Sequence, residues 1–329
     1  MKSINSPLLY NLTEPLSKVL SLFIARKIVD KKGKGEIAPP QIINNKYTLL
    51  EYTKKARYFS IATYLDEYNQ HFIAKIWSQR IKDRSFYRIR NEYFTYKTLW
   101  KAINSIRQSN PVPSFRIQIP KLELYIEEKN FSLLLLEKIE GETIDNLTTT
   151  EKIESTTLAI DFLDQLYKNT KDPFSQNLNY KRPIFFPIMI IILFPVAIIR
   201  NISIAYETIS LLPYILSKIT FMTKPKQLTY THRDLHPWNM IKSKQSLYLI
   251  DFEITAIAQK THDLGNTIFR LWEQGNHNEI KQYTKELKNK VNKDELKFMC
   301  IYSAILDMAI SAETPTPLLK SYFTFFKNY

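Results

Sequence analysis

The chain has 329 residues, with 46 Lys and Arg against 32 Asp and Glu, a net charge of +14, and 44% hydrophobic residues. That length can bury a substantial core in one large or two modest domains, and the composition excludes a disordered chain. The basic balance favours anionic partners such as nucleotides, phosphorylated substrates or an acidic membrane face. No nucleic-acid-binding module accompanies it, so no nucleic-acid partner is expected, and a solvated lysine-rich surface accounts for most of the excess. The single cysteine, Cys300, excludes an internal disulfide and fits a reducing compartment. Within Phe298-Met299-Cys300-Ile301-Tyr302 it reads as a small buried hydrophobe rather than a nucleophile. The N-terminus lacks the charged-then-apolar layout of a signal peptide, so a cytoplasmic protein is expected.

In chain order, Leu16, Val19, Leu20, Phe23, Ile24 and Ile28 recur at helical spacing, with Lys18, Arg26 and Lys27 elsewhere on the wheel. Packing on the body is the simpler of two readings; the other is an amphipathic helix lying on a membrane. Gly33, Gly35 and Pro39-Pro40 mark a linker, and residues 1–40 form an extension ahead of the folded lobes. Strands are predicted over Tyr47–Tyr52, Tyr58–Tyr64 and His71–Trp77 from their β-branched and aromatic content. Lys75 places an ammonium inside the apolar run Phe72 to Trp77, and such a charge needs a partner. A helix follows in which Tyr93, Tyr96, Trp100 and Ile103 share a face, with Glu92 expected in its first turn.

Leu122–Glu127 and Ser132–Lys138 form a predicted hairpin, and Gly141 allows a bend beyond it. Thr148 and Glu151 stand at capping-box spacing before a helix reaching about Tyr167. Pro183–Ile199 is uncharged and bounded by Arg182 and Arg200; a further apolar stretch runs to about residue 218. A spanning helix wants about 20 apolar residues. This run is shorter and carries Pro183, Pro187 and Pro195. Three readings are open: a buried helical hairpin, a membrane-dipping insertion, or a true span.

The most informative stretch is Thr229–Glu253. It reads as strand, polar loop (His232-Arg233-Asp234-Leu235-His236-Pro237-Trp238-Asn239), strand, turn and strand, ending in Asp251-Phe252-Glu253. The hairpin it suggests gathers Asp234, Asn239 and Asp251 at one end. A lone carboxylate can take a proton from a hydroxyl, while an amide oxygen and a second carboxylate can hold Mg²⁺ against phosphate oxygens. Ligands that are all oxygen argue for a hard cation rather than zinc. Asp263, in Thr261-His262-Asp263-Leu264-Gly265, is either a helix cap or a brace for the loop.

The pattern His-x-Asp-x₄-Asn followed by Asp-Phe resembles the catalytic and metal loops of the kinase fold, most closely in the aminoglycoside phosphotransferase and choline kinase-like branch. The resemblance covers most of Tyr47 to about Trp272 in order. It implies a two-lobed α/β fold of the protein kinase type, with a small antiparallel sheet lobe over residues 41–139 and a helical lobe over 140–329. The apolar segment 183–218 is an insert in the second lobe. By resemblance Asp234 is the catalytic base, Asn239 and Asp251 hold Mg²⁺, and Lys75, anchored by Glu92, meets the phosphates of ATP. Glu137, Lys138 and Ile139 form the hinge against adenine, and His232 and Asp263 support the loop. The implied activity is ATP-dependent phosphorylation of a small-molecule hydroxyl.

Departures are plain. Glu253 stands where protein kinases have the glycine of Asp-Phe-Gly, and His236 stands where they have a lysine. None of the five glycines lies between the first two strands; Thr53-Lys54-Lys55-Ala56-Arg57 is there instead. Lys54, Lys55 and Arg57 would supply charge in place of backbone amides. The short gap from Asp251 to Asp263 and the absence of Ala-Pro-Glu count against a protein acceptor. Sugars, amino alcohols and lipid-linked saccharides remain as acceptors, with contact with the inner face of an anionic membrane left open. A kinase-like scaffold without catalysis is the alternative.

Overall fold

The structure, a computed structural model, describes residues 39–53, 59–78, 84–109, 116–224, 227–244, 246–287, 290–310 and 314–329. The expected N-terminal helix, the linker glycines and Lys54, Lys55, Ala56, Arg57 and Tyr58 lie outside the described residues.

The first lobe is a curled antiparallel sheet with one helix. Its strands are β1 (Ile42–Ile43), β2 (Tyr47–Thr53), β3 (Ser60–Leu65), β4 (His71–Ser78), and, after helix α1 (Arg84–Ser109) and short β5 (Ile117–Gln118), β6 (Leu122–Glu127) and β7 (Phe131–Glu137). The order across the sheet is β1-β2-β3-β4-β7-β6. The period of two along a strand sorts its side chains onto two faces. Phe72, Ala74 and Ile76 of β4 join Leu133 and Leu135 of β7 in an apolar cluster on one face. Trp77, Leu134 and Leu136 turn to the other face and join Phe86 and Ile89 of α1 in the main core. Lys75, paired with Leu134 in the ladder, shares that second face and so points toward α1.

The second lobe begins with β8 (Glu142–Thr143), followed by α2 (Thr149–Lys168) and β9 (Asn179–Tyr180). The apolar insert forms α3 (Phe185–Arg200), α4 (Ala205–Ile209) and α5 (Leu212–Thr223). After these come β10 (Leu228–Thr231), β11 (Met240–Ser243), β12 (Ser246–Leu249), β13 (Ala256–Gln259), α6 (Lys260–Gln274), α7 (His277–Leu287), α8 (Lys293–Ile310) and α9 (Thr316–Asn328). Helix α2 starts at a complete capping box, in which the Thr148 hydroxyl accepts from the Glu151 amide and the Glu151 carboxylate accepts from the Thr148 amide. Cys300 is fully buried in α8, and burial pushes its thiol well above the ordinary range.

The hairpin expected from Thr229–Glu253 is β11–β12, which also takes β8 and β5 at its edges. The strand ahead of the polar loop, β10, pairs instead with β13, whose buried apolar run from Ala256 to Ala258 is sandwiched between β10 and β9. One sequence expectation changes: α1 begins at Arg84, so Glu92 stands in its third turn rather than its first. The helix is longer than its aromatic stripe because Phe86 and Ile89 bury an additional turn under the sheet.

Helix α3 lays Phe186, Met189, Ile190, Leu193 and Ala197 against the core, where it packs on α8. Its sixteen residues span roughly 24 Å, short of the ~30 Å hydrocarbon thickness of a bilayer. Among the described residues no single helix is long and apolar enough to cross a membrane. The bent pair Phe185–Arg200 and Ile202–Ile209 passes that test by length and composition, with a 108° bend between its parts.

Candidate active site

Lys75 on β4, Glu92 on α1 and Asp251 after β12 meet between the lobes. The Lys75 ammonium donates to both Glu92 carboxylate oxygens, at 2.9 and 2.7 Å, and to Asp251 Oδ1 at 2.5 Å. Burial alone would lower the lysine, but the carboxylates of Asp251 and Glu92 outweigh it and hold it above the usual range. Asp251 is partly buried, which alone would raise its carboxyl, yet the adjacent ammonium keeps it below the usual range. Glu92 is fully buried and shares its cation, so burial pushes it up to about 7 despite Lys75.

A second set of contacts ties α1 to the chain just after Asp251. Arg88 pairs with the Glu253 carboxylate. The Asn91 amide donates to the carbonyls of Glu253 and Thr255, each at 3.1 Å, and its oxygen accepts from Asn179 at 2.9 Å. Sequence reading missed Arg88 and Asn91. The signal was there, since Arg88, Asn91, Glu92 and Thr95 recur at helical spacing beside the aromatic stripe. Their partners, 160 residues on, were not visible.

The polar loop is held from beneath. The Asp263 carboxylate accepts from the His232 amide at 2.7 Å and the Arg233 amide at 2.8 Å. Two successive amides can face one carboxylate because Arg233 adopts a left-handed backbone, φ 67°. Asp263 is therefore a brace and not the cap of α6, which Gln259 occupies. His232 contacts the Ile250 carbonyl through Nε2 at 2.8 Å and lies against the Phe252 ring. Asn239 donates its side-chain amide to the Asp234 carbonyl at 2.9 Å, and its backbone carbonyl accepts from the Ile250 amide. These bonds bring Asp234, Asn239 and Asp251 to the open end of the β11–β12 hairpin. Asp251 is itself in the left-handed region, φ 66°, a costly backbone for a residue with a Cβ and one that persists where the surroundings demand it.

His236, two residues beyond Asp234, accepts from the Trp238 amide through Nδ1, and its ring lies 4.6 Å from the Trp238 ring. Burial, reinforced by the Arg270 guanidinium, lowers it to about 4, so it is neutral at pH 7. The hinge residues follow β7 directly. The Glu137 amide donates to the Lys121 carbonyl and the Lys138 amide to the His71 carbonyl, so both serve the lobe itself. Beyond them Gly141 passes against β11 so closely that a Cβ would sit 2.4 Å from the Lys242 carbonyl oxygen.

Asp251 and Asn239 offer a carboxylate and an amide oxygen, the donor types that a hard cation takes together with phosphate and water oxygens. Among the described residues no group of three His, Cys, Asp or Glu could hold a metal. The residues present fit a hard divalent cation shared with phosphate oxygens.

No family profile and no curated protein matches the sequence. Solved structures do match. A thermostable variant of aminoglycoside phosphotransferase APH(4)-Ia, in ternary complex with AMP-PNP and hygromycin B, aligns at TM-score 0.59 and 10% identity, covering 85% of this chain and 94% of that one. An aminoglycoside phosphotransferase from Alicyclobacillus acidocaldarius aligns at TM-score 0.52 and 12% identity, covering 89% and 93%. Amicoumacin kinase hAmiN, in complex with AMP-PNP, Ca²⁺ and Ami, aligns at TM-score 0.51 and 12% identity, covering 96% and 95%. The chain has the two-lobed, protein kinase-like fold of the aminoglycoside phosphotransferases.

Proposed function

We propose that the chain is an ATP-dependent phosphotransferase that moves the γ-phosphoryl group to a hydroxyl of a small molecule. The observation that carries this reading is the convergence of Lys75, Glu92 and Asp251 beside the braced loop bearing Asp234 and Asn239. Mg²⁺, when bound, supplies neutralisation of charge on the β- and γ-phosphates, and Asp251 with the Asn239 amide oxygen would hold it. Lys75 keeps Glu92 and turns its remaining donors to the ATP phosphates. Of the hinge residues, Ile139 is the one we assign to adenine, since the Glu137 and Lys138 amides are committed elsewhere.

Asp234 orients the acceptor hydroxyl and takes its proton. The hydroxyl oxygen bonds to the γ-phosphorus, the bond from that phosphorus to the bridging oxygen breaks, and ADP leaves. Positioning and charge stabilisation carry most of such a transfer, so this small set of side chains suffices. Sugars, amino alcohols and lipid-linked saccharides are the acceptor classes we favour over a peptide, given the short segment between Asp251 and Asp263.

The test compares slow ATP hydrolysis, with water as the acceptor, in wild type and Asp234→Asn. The variant should bind Mg²⁺–ATP as well as wild type but turn it over about a hundredfold more slowly, the lower range for loss of a general base. Unchanged turnover would remove Asp234 from the mechanism. Mg²⁺–ATP binding with no turnover in wild type would favour a non-catalytic nucleotide-binding protein.

A further inference from the structure

The outer side of α3 is as apolar as its buried side. Ile184, Ile188, Ile191, Pro195 and Ile199 are all exposed and recur at spacings of four, three, four and four, one continuous helical stripe. Past the bend the exposed row continues through Ile202, Tyr206 and Ile209. The positions around the bend are among the most exposed large hydrophobic residues described: Ile199 is 64% exposed, Ile202 75% and Tyr206 79%. Scattered apolar side chains on a surface need no explanation, but a contiguous stripe does.

The charges around it indicate what covers it. No charged residue falls between Arg182 and Arg200, both exposed, which bracket the stripe. Among the described residues from 181 to 224, Lys181 is buried and Lys218 pairs with Asp294, which leaves Arg182, Arg200 and Lys224 as exposed cations, while the one acidic residue, Glu207, pairs with Lys320. A second copy of this chain would bring like-charged rims together around the apolar contact, in a protein already at +14. An anionic bilayer instead takes isoleucines into the acyl boundary and arginines at its headgroups, with Tyr206 suited to the interface between them.

We propose that the α3–α4 ridge is a membrane-docking surface that lies on an anionic bilayer without crossing it. This does not depend on catalysis. Combined with the phosphotransferase reading, it would hold the catalytic lobe at the surface where a lipid-linked acceptor would be presented.

The test is co-sedimentation of the purified full chain with vesicles of phosphatidylcholine alone and of phosphatidylcholine with phosphatidylglycerol. The comparison is wild type against Ile191→Asn/Ile199→Asn, which removes apolar surface and leaves the charge unchanged. Wild type should bind the anionic vesicles and retain part of that binding at high salt, and the double variant should partition about tenfold or more weaker. Both substituted side chains face out, so the thermal unfolding midpoint should not move. Equal binding of variant and wild type would reduce the contact to the general basic charge and overturn the proposal. So would a wild-type dimer, measured without lipid, that the variant dissolves, because the occupant would then be a second copy. Unaltered ATP hydrolysis in the variant is expected in either case and keeps this test separate from that of the phosphotransferase reading.

Discussion

Glu92 and His236 respond to folding in opposite senses. Glu92 rises from 4.5 to about 7, so the folded state holds its proton more tightly. Its contribution to stability is full below pH 4.5 and is lost as pH rises through about 7. His236 falls from 6.5 to about 4, so its contribution is full above pH 6.5 and is lost as pH falls through about 4. Between pH 4.5 and 6.5 the two slopes oppose. Glu92→Gln should expose a rise with pH of about 2 to 3 kcal/mol across that window, and His236→Asn a fall of similar size. Urea unfolding over a pH series measures both, and variant curves that run parallel to wild type would contradict the assignment. Sequence made Lys75 legible, because an ammonium inside an apolar strand must find a carboxylate. The third member of that contact and the neutrality of His236 come from burial, which no spacing reports.

At the scale of elements, the helix beneath the loop matters most. Helix α6 carries Asp263, and it crosses α8 at Gly265, where a Cβ would sit 2.6 Å from the Met299 carbonyl carbon and 2.8 Å from its Cβ. Backbone cannot yield as a flexible side chain does. Gly265→Ala should cost about 1 to 3 kcal/mol of stability, the usual range for overpacking, and should also displace Asp263 and lower turnover. Denaturant unfolding and ATP hydrolysis read the two effects; a variant as stable and active as wild type would show that the helices separate freely. Elements with their own local signal were readable: the capping box at Thr148, the β-branched and aromatic content of β4, the hairpin of β6 and β7. The β10–β13 pairing was not, since Leu228–Thr231 and Ala256–Gln259 are four-residue strands separated by the loop and the β11–β12 hairpin, with no turn between them to report the pairing. The start of α1 was misplaced because the additional turn is fixed by contact with the sheet.

In the whole molecule, α1 is the member that joins the lobes. Lys75 with Glu92 reaches Asp251, Arg88 reaches Glu253, and Asn91 reaches the Glu253 and Thr255 carbonyls. The helix is thus set against the segment Asp251 to Thr255 by three contacts. The order of Lys75, Glu92, the hinge, Asp234 and Asp251 was enough to read the two-lobed fold, because each is a fixed point around which the lobes assemble. The acceptor was not legible, since no residue pattern in the second lobe distinguishes one hydroxyl compound from another. The most direct measurement is thermal unfolding of the protein with ATP, with and without Mg²⁺, beside Asp251→Asn. That variant leaves Lys75 paired with Glu92 and should fold. At a hundredfold excess of ATP over its dissociation constant, wild type should gain about 2.7 kcal/mol, the gain should depend on Mg²⁺, and the variant should lose it. A wild type that ATP and Mg²⁺ leave unshifted, or a variant stabilised as much as wild type, would contradict a nucleotide site at Asp251.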